Sequence, residues 1–286
     1  MYDAIVIGAG PAGISASLYI KRAGLSPLVL YNDKSEVEKA HKIDNYYGFP
    51  EGIEGPELFQ RGIDQARNLG IDVKQEETVD IKYEDNFKVT TVKDTYEAKS
   101  VLIATGNTRK KVNIENFEKF EGKGISYCAI CDGFFYRNKK VAVLGSGDYA
   151  LSEASDIENL ASELTILTNG EELKSETKYT VNNKKIKSID GDEKIKSITF
   201  EDGSKLDIDG LFIALGVAGG LDFAKKLGIL TENNNILVNE NMETNIKGVY
   251  AAGNITGGLL QVSKAVSDGA KAGISIINYI KQGKEK

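Results

Sequence analysis

The stretch YDAIVIGAGPAG, residues 2–13, decides the fold of this chain of 286 residues. Residues 2–7 are mostly apolar and include β-branched side chains, which predicts a buried strand. Residues 11–24 carry apolar side chains at helical spacing, and residues 28–31 form a second apolar run. The order of strand, helix and strand predicts the βαβ opening of a doubly wound α/β sheet.

The turn of this unit has the GxGxxG spacing of a dinucleotide-binding loop. Gly8 permits the tight turn, Gly10 lets the backbone approach a pyrophosphate, and Gly13 lets the helix pack closely on the strand. The N-terminus of the helix then offers amide groups to an anion. We therefore expect the loop to bind a dinucleotide.

A second fingerprint, GSGDYA, places Gly145, Gly147 and Ala150 after an apolar run at residues 141–144. A helix and another strand are predicted to follow, up to residue 167. The chain thus contains two related βαβ halves. The fold class that we predict is α/β, with two Rossmann-like, three-layered dinucleotide-binding domains.

Composition narrows the classes of partner. Hydrophobic residues make up 41% and charged residues 27% of the chain, as in ordinary globular proteins. A formal net charge of −6 gives no basic field for nucleic acid, so no nucleic-acid partner is expected. The apolar runs are too short to span a bilayer, and no secretory segment precedes the first strand. We expect no membrane partner and a cytoplasmic location.

The only cysteines, Cys128 and Cys131, form one Cys-x-x-Cys that is followed directly by Asp132. With a single histidine, His41, a tetrahedral zinc site lacks ligands, so no metal is expected. A reversible disulfide explains the spacing, whereas two inert thiols do not. One sulfur would attack a partner disulfide and the other would resolve the mixed disulfide. Asp132 is the candidate general acid for the thiol proton, with an exposed turn aspartate as the alternative.

The segment CAICDGFFYRNKKVAVLGSGDYA, residues 128–150, resembles the core of the low-molecular-weight thioredoxin reductases. The resemblance covers nearly the whole chain. It includes DNYYGFP at 44–50, IATG at 103–106 and GVYAAG at 248–253.

The resemblance implies that the two Rossmann-like domains are of the FAD/NAD(P) disulfide-reductase type. It implies an FAD-binding domain built from both ends of the chain, residues 1–110 and 241–286. It also implies a central nucleotide-binding-like domain, residues 111–240, which carries the dithiol and rotates so that the dithiol meets the flavin and the thioredoxin in turn. FAD is then the cofactor, thioredoxin or a thioredoxin-like protein is the partner, and a homodimer is expected. From the fingerprint and the resemblance together, we expect the flavin nucleotide to contact Gly8, Gly10, Pro11, Ala12, Gly13, Asn32, Asn45, Thr105, Gly106, Gly253, Asn254, Gln261 and Val262.

Three departures lie on the flavin side. The family's GGQL segment near the flavin is replaced by VEKAH at residues 37–41. The family's AAGD reads AAGN in this chain, so Asn254 would offer the ribitol an amide in place of a carboxylate. The acidic residue that usually binds a ribose at the end of the second strand is replaced by Asn32, with Asp33 next to it. We expect FAD binding with altered contacts.

The second fingerprint departs further. NADPH-dependent members of the family follow it with a histidine and arginine cluster that binds the 2′-phosphate. This chain has no arginine after Arg137, and Glu171 and Glu172 follow the strand. A phosphate group carries about two negative charges and is best captured by arginine. The loop therefore either binds a dinucleotide without a 2′-phosphate or is a vestigial site that only packs a helix on a strand.

One branch of the family, the ferredoxin-linked flavin thioredoxin reductases, takes electrons from reduced ferredoxin. This chain is similar to that branch in its missing clamp and its short central domain. We predict an FAD-dependent thioredoxin-disulfide reductase whose donor is reduced ferredoxin or NADH in preference to NADPH. A basic docking face for an acidic ferredoxin is expected from Arg109, Lys110, Lys111, Lys123, Arg137, Lys139 and Lys140.

Two alternatives remain open. A conventional NADPH-dependent thioredoxin reductase would need a phosphate clamp made of lysines such as Lys174 or Lys178. A non-catalytic, flavin-binding redox sensor would signal by conformation and would show no turnover, but the intact Cys-x-x-Cys-Asp argues against it.

Overall fold

The computed structural model describes residues 1–32, 35–106 and 112–284. Asp33 and the basic run Arg109–Lys111, which the sequence singled out, lie outside the described residues.

The described residues form both helices and strands, numbered in chain order. The helices are α1 (Pro11–Arg22), α2 (Gly55–Asn68), α3 (Ala129–Asp132), α4 (Asp148–Ile157), α5 (Gly220–Leu227) and α6 (Val262–Lys284). The strands are β1 (Tyr2–Ile7), β2 (Pro27–Tyr31), β3 (Asp72–Gln75), β4 (Thr78–Tyr83), β5 (Phe87–Thr91), β6 (Thr95–Ile103), β7 (Ile125–Ser126), β8 (Lys140–Leu144), β9 (Glu163–Leu167), β10 (Thr180–Asn182), β11 (Ile186–Gly191), β12 (Ile195–Phe200), β13 (Lys205–Asp207), β14 (Gly210–Ile213), β15 (Thr231–Glu232), β16 (Asn235–Ile236) and β17 (Val249–Ala251).

The chain divides into two compact units. The outer unit comprises Met1–Thr108 and Gly219–Lys286, and the inner unit comprises Arg109–Ala218. The first boundary lies within two residues of the expected one. The second lies at 218/219, whereas the resemblance placed it at 240/241.

Residues 219–240 belong to the outer unit because α5 packs on β4. The ammonium of Lys226 on α5 lies 3.1 Å from the carboxylate of Asp80 on β4, and the two side chains are 1% and 8% exposed. Separating the two charges of a buried ion pair strongly destabilises a protein, because it leaves a buried charge without its partner. This ion pair therefore fixes the segment to the outer sheet.

The outer unit is built on a seven-stranded sheet in the order β3-β2-β1-β6-β5-β4, with β17 also paired to β6. β1 runs parallel to β2 and β6, and β17 runs parallel to the end of β6. The first half of β6 pairs antiparallel with β5. α1 and α6 pack together, and their residues Ile20 and Ile276 share a core with Val6 of β1.

The inner unit contains a five-stranded parallel sheet, in the order β10-β9-β8-β14-β7, and a three-stranded antiparallel sheet, β11-β12-β13. Leu144 of the first sheet and Ile198 of the second share one core. The α/β class with two Rossmann-like sheets is confirmed. Between β9 and β10, the described residues 168–179 form turns and bends and no helix.

None of the helices in the described parts of the chain has the length and apolar character that crossing a membrane requires.

Candidate active site

The expected flavin residues follow strands that are neighbours in the outer sheet. Residues 8–13 follow β1, residues 104–106 follow β6, residues 252–254 follow β17, and Asn32 follows β2. Because these strands are parallel, their carboxyl ends meet at one edge of the sheet. Ligands of doubly wound folds bind at this edge.

The glycines of the first turn are required by close packing. A β-carbon at Gly8, where φ is 113°, would lie 2.3 Å from the carbonyl oxygen of Ala104. At Gly13 it would lie 1.9 Å from the carbonyl oxygen of Gly8. At Gly10 its nearest neighbour would be the hydroxyl of Ser35, at 3.2 Å. The turn is therefore tight at its ends and more open at Gly10, where a ligand must approach.

The start of α1 can accept an anion. Pro11 occupies the first turn, Gly10 precedes it without a side-chain cap, and the first turn contains no acidic residue. The amide groups at a helix N-terminus and the helix dipole favour a negative charge there. The residues present fit the diphosphate of FAD.

The loop after β17 is fixed by an ion pair that the sequence analysis did not single out. The ammonium of Lys264 lies 2.7 Å from the carboxylate of Asp268 and donates to the carbonyl oxygens of Gly253 and Gly257, at 2.9 and 2.7 Å. Asp268 also accepts a hydrogen bond from the Gly253 amide, at 3.2 Å. The spacing of lysine and aspartate, i and i+4, was visible in the sequence, but only the fold shows that the pair holds this loop.

Other expected flavin residues are joined across long sequence separations. The amide of Asn45 donates to Gln261 at 2.9 Å. The amide of Asn32 donates to Glu77 at 3.4 Å. Val262 is the first residue of α6.

Cys128 and Cys131 form a disulfide, with an S–S distance of 2.04 Å and a Cα–Cα distance of 5.3 Å. Helix α3 begins directly after Cys128, and the amide of Cys131 donates to the Cys128 Sγ at 3.2 Å. Cys128 is buried and Cys131 is exposed. Within residues 1–32, 35–106 and 112–284, no group of three or more His, Cys, Asp or Glu is placed to hold a metal ion.

Asp132 is linked to the Cys-x-x-Cys backbone through a serine. The Ser126 hydroxyl donates to the Asp132 carboxylate at 2.7 Å, and its oxygen accepts a hydrogen bond from the Cys128 amide at 3.1 Å. Ser126 is buried, and no motif pointed to it. Burial, and then the Asp132 carboxylate, raise the pKa of the nearby Tyr136 phenol.

The second fingerprint is explained by packing within the inner unit. A β-carbon at Gly145 would lie 2.1 Å from the carbonyl oxygen of Ala214 and 2.8 Å from the β-carbon of Ala150. Gly147 caps α4, and a β-carbon there would lie 3.3 Å from the carbonyl oxygen of Gly216. The small residues are therefore required by the packing of this loop and the start of α4 against the segment that follows β14.

Carboxylates of the chain itself lie at this loop. The Ser146 hydroxyl donates to the carboxylate of Glu171, and the Ser175 hydroxyl donates to that of Asp148 at 2.6 Å. The amide of Lys174 donates to the Ser146 carbonyl oxygen at 3.0 Å. The segment that follows β9 therefore folds onto the GSGD loop and brings an acidic side chain with it.

Comparison with known proteins agrees with this geometry. Residues 2–269 match the family model described as pyridine nucleotide-disulphide oxidoreductase. The chain belongs to this family. Among its relatives, the thioredoxin reductase of Listeria innocua is 33% identical over 306 aligned positions, which cover 100% of this chain and 96% of the relative. The thioredoxin reductase of Bacillus subtilis is 32% identical, with the same coverage.

Two solved structures of the family are similar to this one. The atypical thioredoxin reductase TRi from Desulfovibrio vulgaris Hildenborough is 39% identical, with a TM-score of 0.93 and 99% of each chain covered. A ferredoxin-flavin thioredoxin reductase from Clostridium acetobutylicum is 32% identical, with a TM-score of 0.72; 100% of this chain and 99% of that chain are covered. The expected family resemblance is confirmed.

Family membership also decides the cofactor and the reaction class. The pyridine nucleotide-disulphide oxidoreductases of the thioredoxin reductase type are FAD-binding flavoproteins. This family member is therefore a flavoprotein disulfide oxidoreductase with FAD as its cofactor.

Proposed function

We propose that this flavoprotein reduces the disulfide of thioredoxin, or of a thioredoxin-like protein, through Cys128 and Cys131, and that its electrons come from reduced ferredoxin. The relatives named thioredoxin reductase support the acceptor. The similarity to a ferredoxin-flavin thioredoxin reductase supports the donor.

One observation carries the choice of donor: the chain's own carboxylates lie at the second fingerprint. A dinucleotide would place its diphosphate at the start of α4. Asp148 lies in the first turn of α4, and Glu171 is bound to Ser146 of the same loop. At about 4 Å, two like charges repel by about 1 kcal/mol in water and by roughly 4 kcal/mol near a protein surface. The N-terminus of a helix favours an anion by only about 0.3–1 kcal/mol.

The first fingerprint provides an internal contrast. The first turn of α1 contains no acidic residue, whereas the equivalent turn of α4 contains Asp148. The two loops share the spacing of their small residues and differ in their charge. We infer that the first loop binds FAD and that the second binds neither NADPH nor NADH.

A lysine clamp for a 2′-phosphate is also not supported. The ammonium of Lys178 lies 2.6 Å from the Glu158 carboxylate. Lys174 donates its backbone amide to the carbonyl oxygen of Ser146, and its side chain is exposed. The ion pair of Lys178 favours a nucleotide-independent enzyme over the conventional NADPH-dependent alternative.

An apolar surface next to the disulfide suits a protein acceptor. Phe134 and Phe135 are each 69% exposed, and Ile130, between the cysteines, is 46% exposed. Aromatic side chains are common anchors in protein interfaces. We propose that these residues bind thioredoxin.

The proposed donor surface is basic. Lys123, Arg137 and Lys139 are exposed, whereas Lys140 lies 3.0 Å from Glu163 and is partly neutralised. The other basic residues expected in this surface lie outside the described part of the chain. Opposite charges would steer an acidic ferredoxin to this surface in a salt-dependent way.

The electron balance of the reaction is simple. When bound, FAD accepts electrons singly and passes them on in pairs. Two reduced ferredoxins supply two electrons, two protons come from water, and the Cys128–Cys131 disulfide becomes a dithiol. One thiolate then attacks the thioredoxin disulfide, and the second enzyme thiol resolves the mixed disulfide and re-forms the enzyme disulfide. We propose that Asp132, which accepts a hydrogen bond from Ser126, exchanges the thiol proton with solvent.

Turnover with each donor tests this proposal. Thioredoxin reduction is measured with reduced ferredoxin, NADH or NADPH as donor, for the wild type and for Cys128→Ser and Cys131→Ser. We expect turnover with ferredoxin alone and none in either variant. Turnover that survives the loss of a cysteine would contradict the dithiol role, and a lack of turnover with every donor would favour a redox sensor.

The double variant Asp148→Asn/Glu171→Gln tests the carboxylate argument. Removing both charges should turn undetectable NADH binding into weak binding that calorimetry can measure. The matched control Asp156→Asn/Glu172→Gln makes the same charge change on α4 and after β9. Equal NADH binding by the wild type and the double variant would contradict the role of the two carboxylates.

We also propose that the protein is a homodimer and that it is located in the cytoplasm. The resemblance to the thioredoxin reductases implies a homodimer, although the apolar side of α6, with Ala272 and Ile276, is buried in the core of the outer unit. Light scattering of the purified protein measures the oligomeric state. A cytoplasmic location suits a dithiol that must be kept reducible.

A further inference from the structure

Glu153 places a buried carboxylate next to the Cys-x-x-Cys turn. It lies on α4, is 1% exposed, and accepts a hydrogen bond of 2.7 Å from the backbone amide of Ala129. Ala129 directly follows Cys128 and is also buried. Burying a carboxylate is costly unless charge-assisted hydrogen bonds compensate for its lost hydration. An apolar or amide side chain would fill this position at a lower desolvation cost. We therefore look for a function of this carboxylate.

The contact differs from the other hydrogen bonds of the turn. The amides of Cys131 and Asp132 donate to the Sγ and the carbonyl oxygen of Cys128, at 3.2 and 3.1 Å. Both bonds lie within the turn and persist only while it keeps its shape. The Ala129 amide instead donates to a side chain of another helix. Glu153 therefore ties the turn to α4 through a hydrogen bond that involves neither sulfur.

We propose that Glu153 is a positioning residue of the redox-active disulfide. By binding the Ala129 amide, it keeps the two sulfurs close together in the dithiol as well as in the disulfide. The inference rests on the redox role proposed above for Cys128 and Cys131. It extends that role by naming the residue that fixes their geometry.

The step that depends on this geometry is ring closure. The free enzyme thiol, as a thiolate, attacks the enzyme sulfur of the mixed disulfide. The intramolecular S–S bond forms, the bond to the partner breaks, and the released partner thiolate takes up the proton that the enzyme thiol lost. Holding the two sulfurs near each other raises their effective concentration and favours the closed ring.

Ring closure can be measured directly on the FAD-loaded protein. The protein is equilibrated without oxygen in mixtures of reduced and oxidised dithiothreitol, quenched in acid and alkylated, and its free thiols are counted by mass spectrometry. Glu153→Leu removes the acceptor at similar volume, and Glu153→Gln keeps an acceptor without the charge. Glu158→Gln is the matched control, because Glu158 lies at the end of the same helix and contacts Lys178 and Tyr179.

We expect Glu153→Leu to lower the ring-closure constant about ten-fold, equivalent to about 30 mV, and Glu153→Gln to lower it by no more than about three-fold. Glu158→Gln should leave it unchanged. A wild-type constant in folded Glu153→Leu protein overturns the inference, even if that variant melts at a lower temperature. Equal losses in the Leu and Gln variants overturn it too, because they would make the charge, and not the acceptor, responsible.

If Glu153→Leu does not fold, Glu153→Asp tests the inference instead. Its side chain is shorter by one methylene, which moves the carboxylate away from the Ala129 amide. A lowered ring-closure constant supports the positioning role, and an unchanged constant overturns it. Failure of the proposed function would be recognised separately, as thioredoxin turnover that persists in Cys128→Ser.

Discussion

Replacing Lys264 with methionine tests whether the loop after β17 must be held in place for FAD to bind. The Lys264 ammonium contacts the Asp268 carboxylate and the carbonyl oxygens of Gly253 and Gly257. The side chains of Lys264 and Asp268 are 20% and 8% exposed. Methionine keeps the aliphatic length but leaves the Asp268 carboxylate with the 3.2 Å hydrogen bond from the Gly253 amide.

The expected magnitude follows from this burial. Removing one partner of a buried ion pair costs about 3–5 kcal/mol. Because Lys264 keeps one fifth of its exposure, we take the lower end, about 3 kcal/mol. This energy corresponds to roughly 100-fold in an equilibrium constant and to a fall of about 6–12 °C in the melting temperature of a unit of this size. FAD affinity should fall by up to the same factor, because binding must then order the loop.

Fluorescence titration of the apoprotein with FAD and thermal unfolding of the holoprotein measure these two effects. Lys264→Met/Asp268→Asn removes the unpaired charge and should recover more than half of the lost stability. Lys271→Met, an exposed lysine on the same helix, is the control and should behave as the wild type. Wild-type stability and FAD affinity in Lys264→Met would refute the reasoning.

Two further predictions concern packing and pH. Gly13→Ala should lose its flavin, because the new methyl would lie 1.9 Å from the carbonyl oxygen of Gly8, whereas Gly62→Ala, whose methyl meets nothing closer than 3.7 Å, should keep it. Absorbance after gel filtration measures retention, and equal retention by both variants would contradict the packing argument. Burial, and then Glu158, raise the pKa of Tyr179 from 10.0 to about 12. Because the pKa of this phenol is higher in the folded than in the unfolded protein, it stabilises the fold at a pH below its unfolded-state pKa. The free energy of unfolding should therefore fall as the pH rises from 10 towards 12. In denaturant titrations at several pH values, the free energy of unfolding of Tyr179→Phe should fall less steeply with pH than that of the wild type. An equal pH dependence in the two proteins would contradict this prediction.

The βαβ units could be predicted almost to the residue because their signals are local. β1 spans Tyr2–Ile7, as predicted, and α1 starts at Pro11 and ends two residues before the predicted end. An apolar run followed by glycines at fixed spacing is enough to specify a strand, a tight turn and a helix start. The disulfide-forming pair could be named for the same reason, since both cysteines lie in one short motif.

Features that depend on distant residues could not be predicted. The second boundary between the units lies at 218/219 and not at the expected 240/241, because Lys226 contacts Asp80, which is far away in the sequence. Glu153 lies 24 residues after Ala129, and no motif links the two positions. Likewise, the sequence showed Glu171 as a source of repulsion, but only the fold shows its carboxylate on Ser146.

The flavin spectrum under anaerobic conditions tests the central claim most directly. Purified holoprotein is mixed separately with reduced ferredoxin, NADH and NADPH, and the loss of flavin absorbance is recorded over time. We predict that reduced ferredoxin bleaches the flavin and that neither nucleotide does. Rapid bleaching by NADPH or NADH would contradict the account, because it would show that the carboxylates at the second fingerprint do not exclude a dinucleotide.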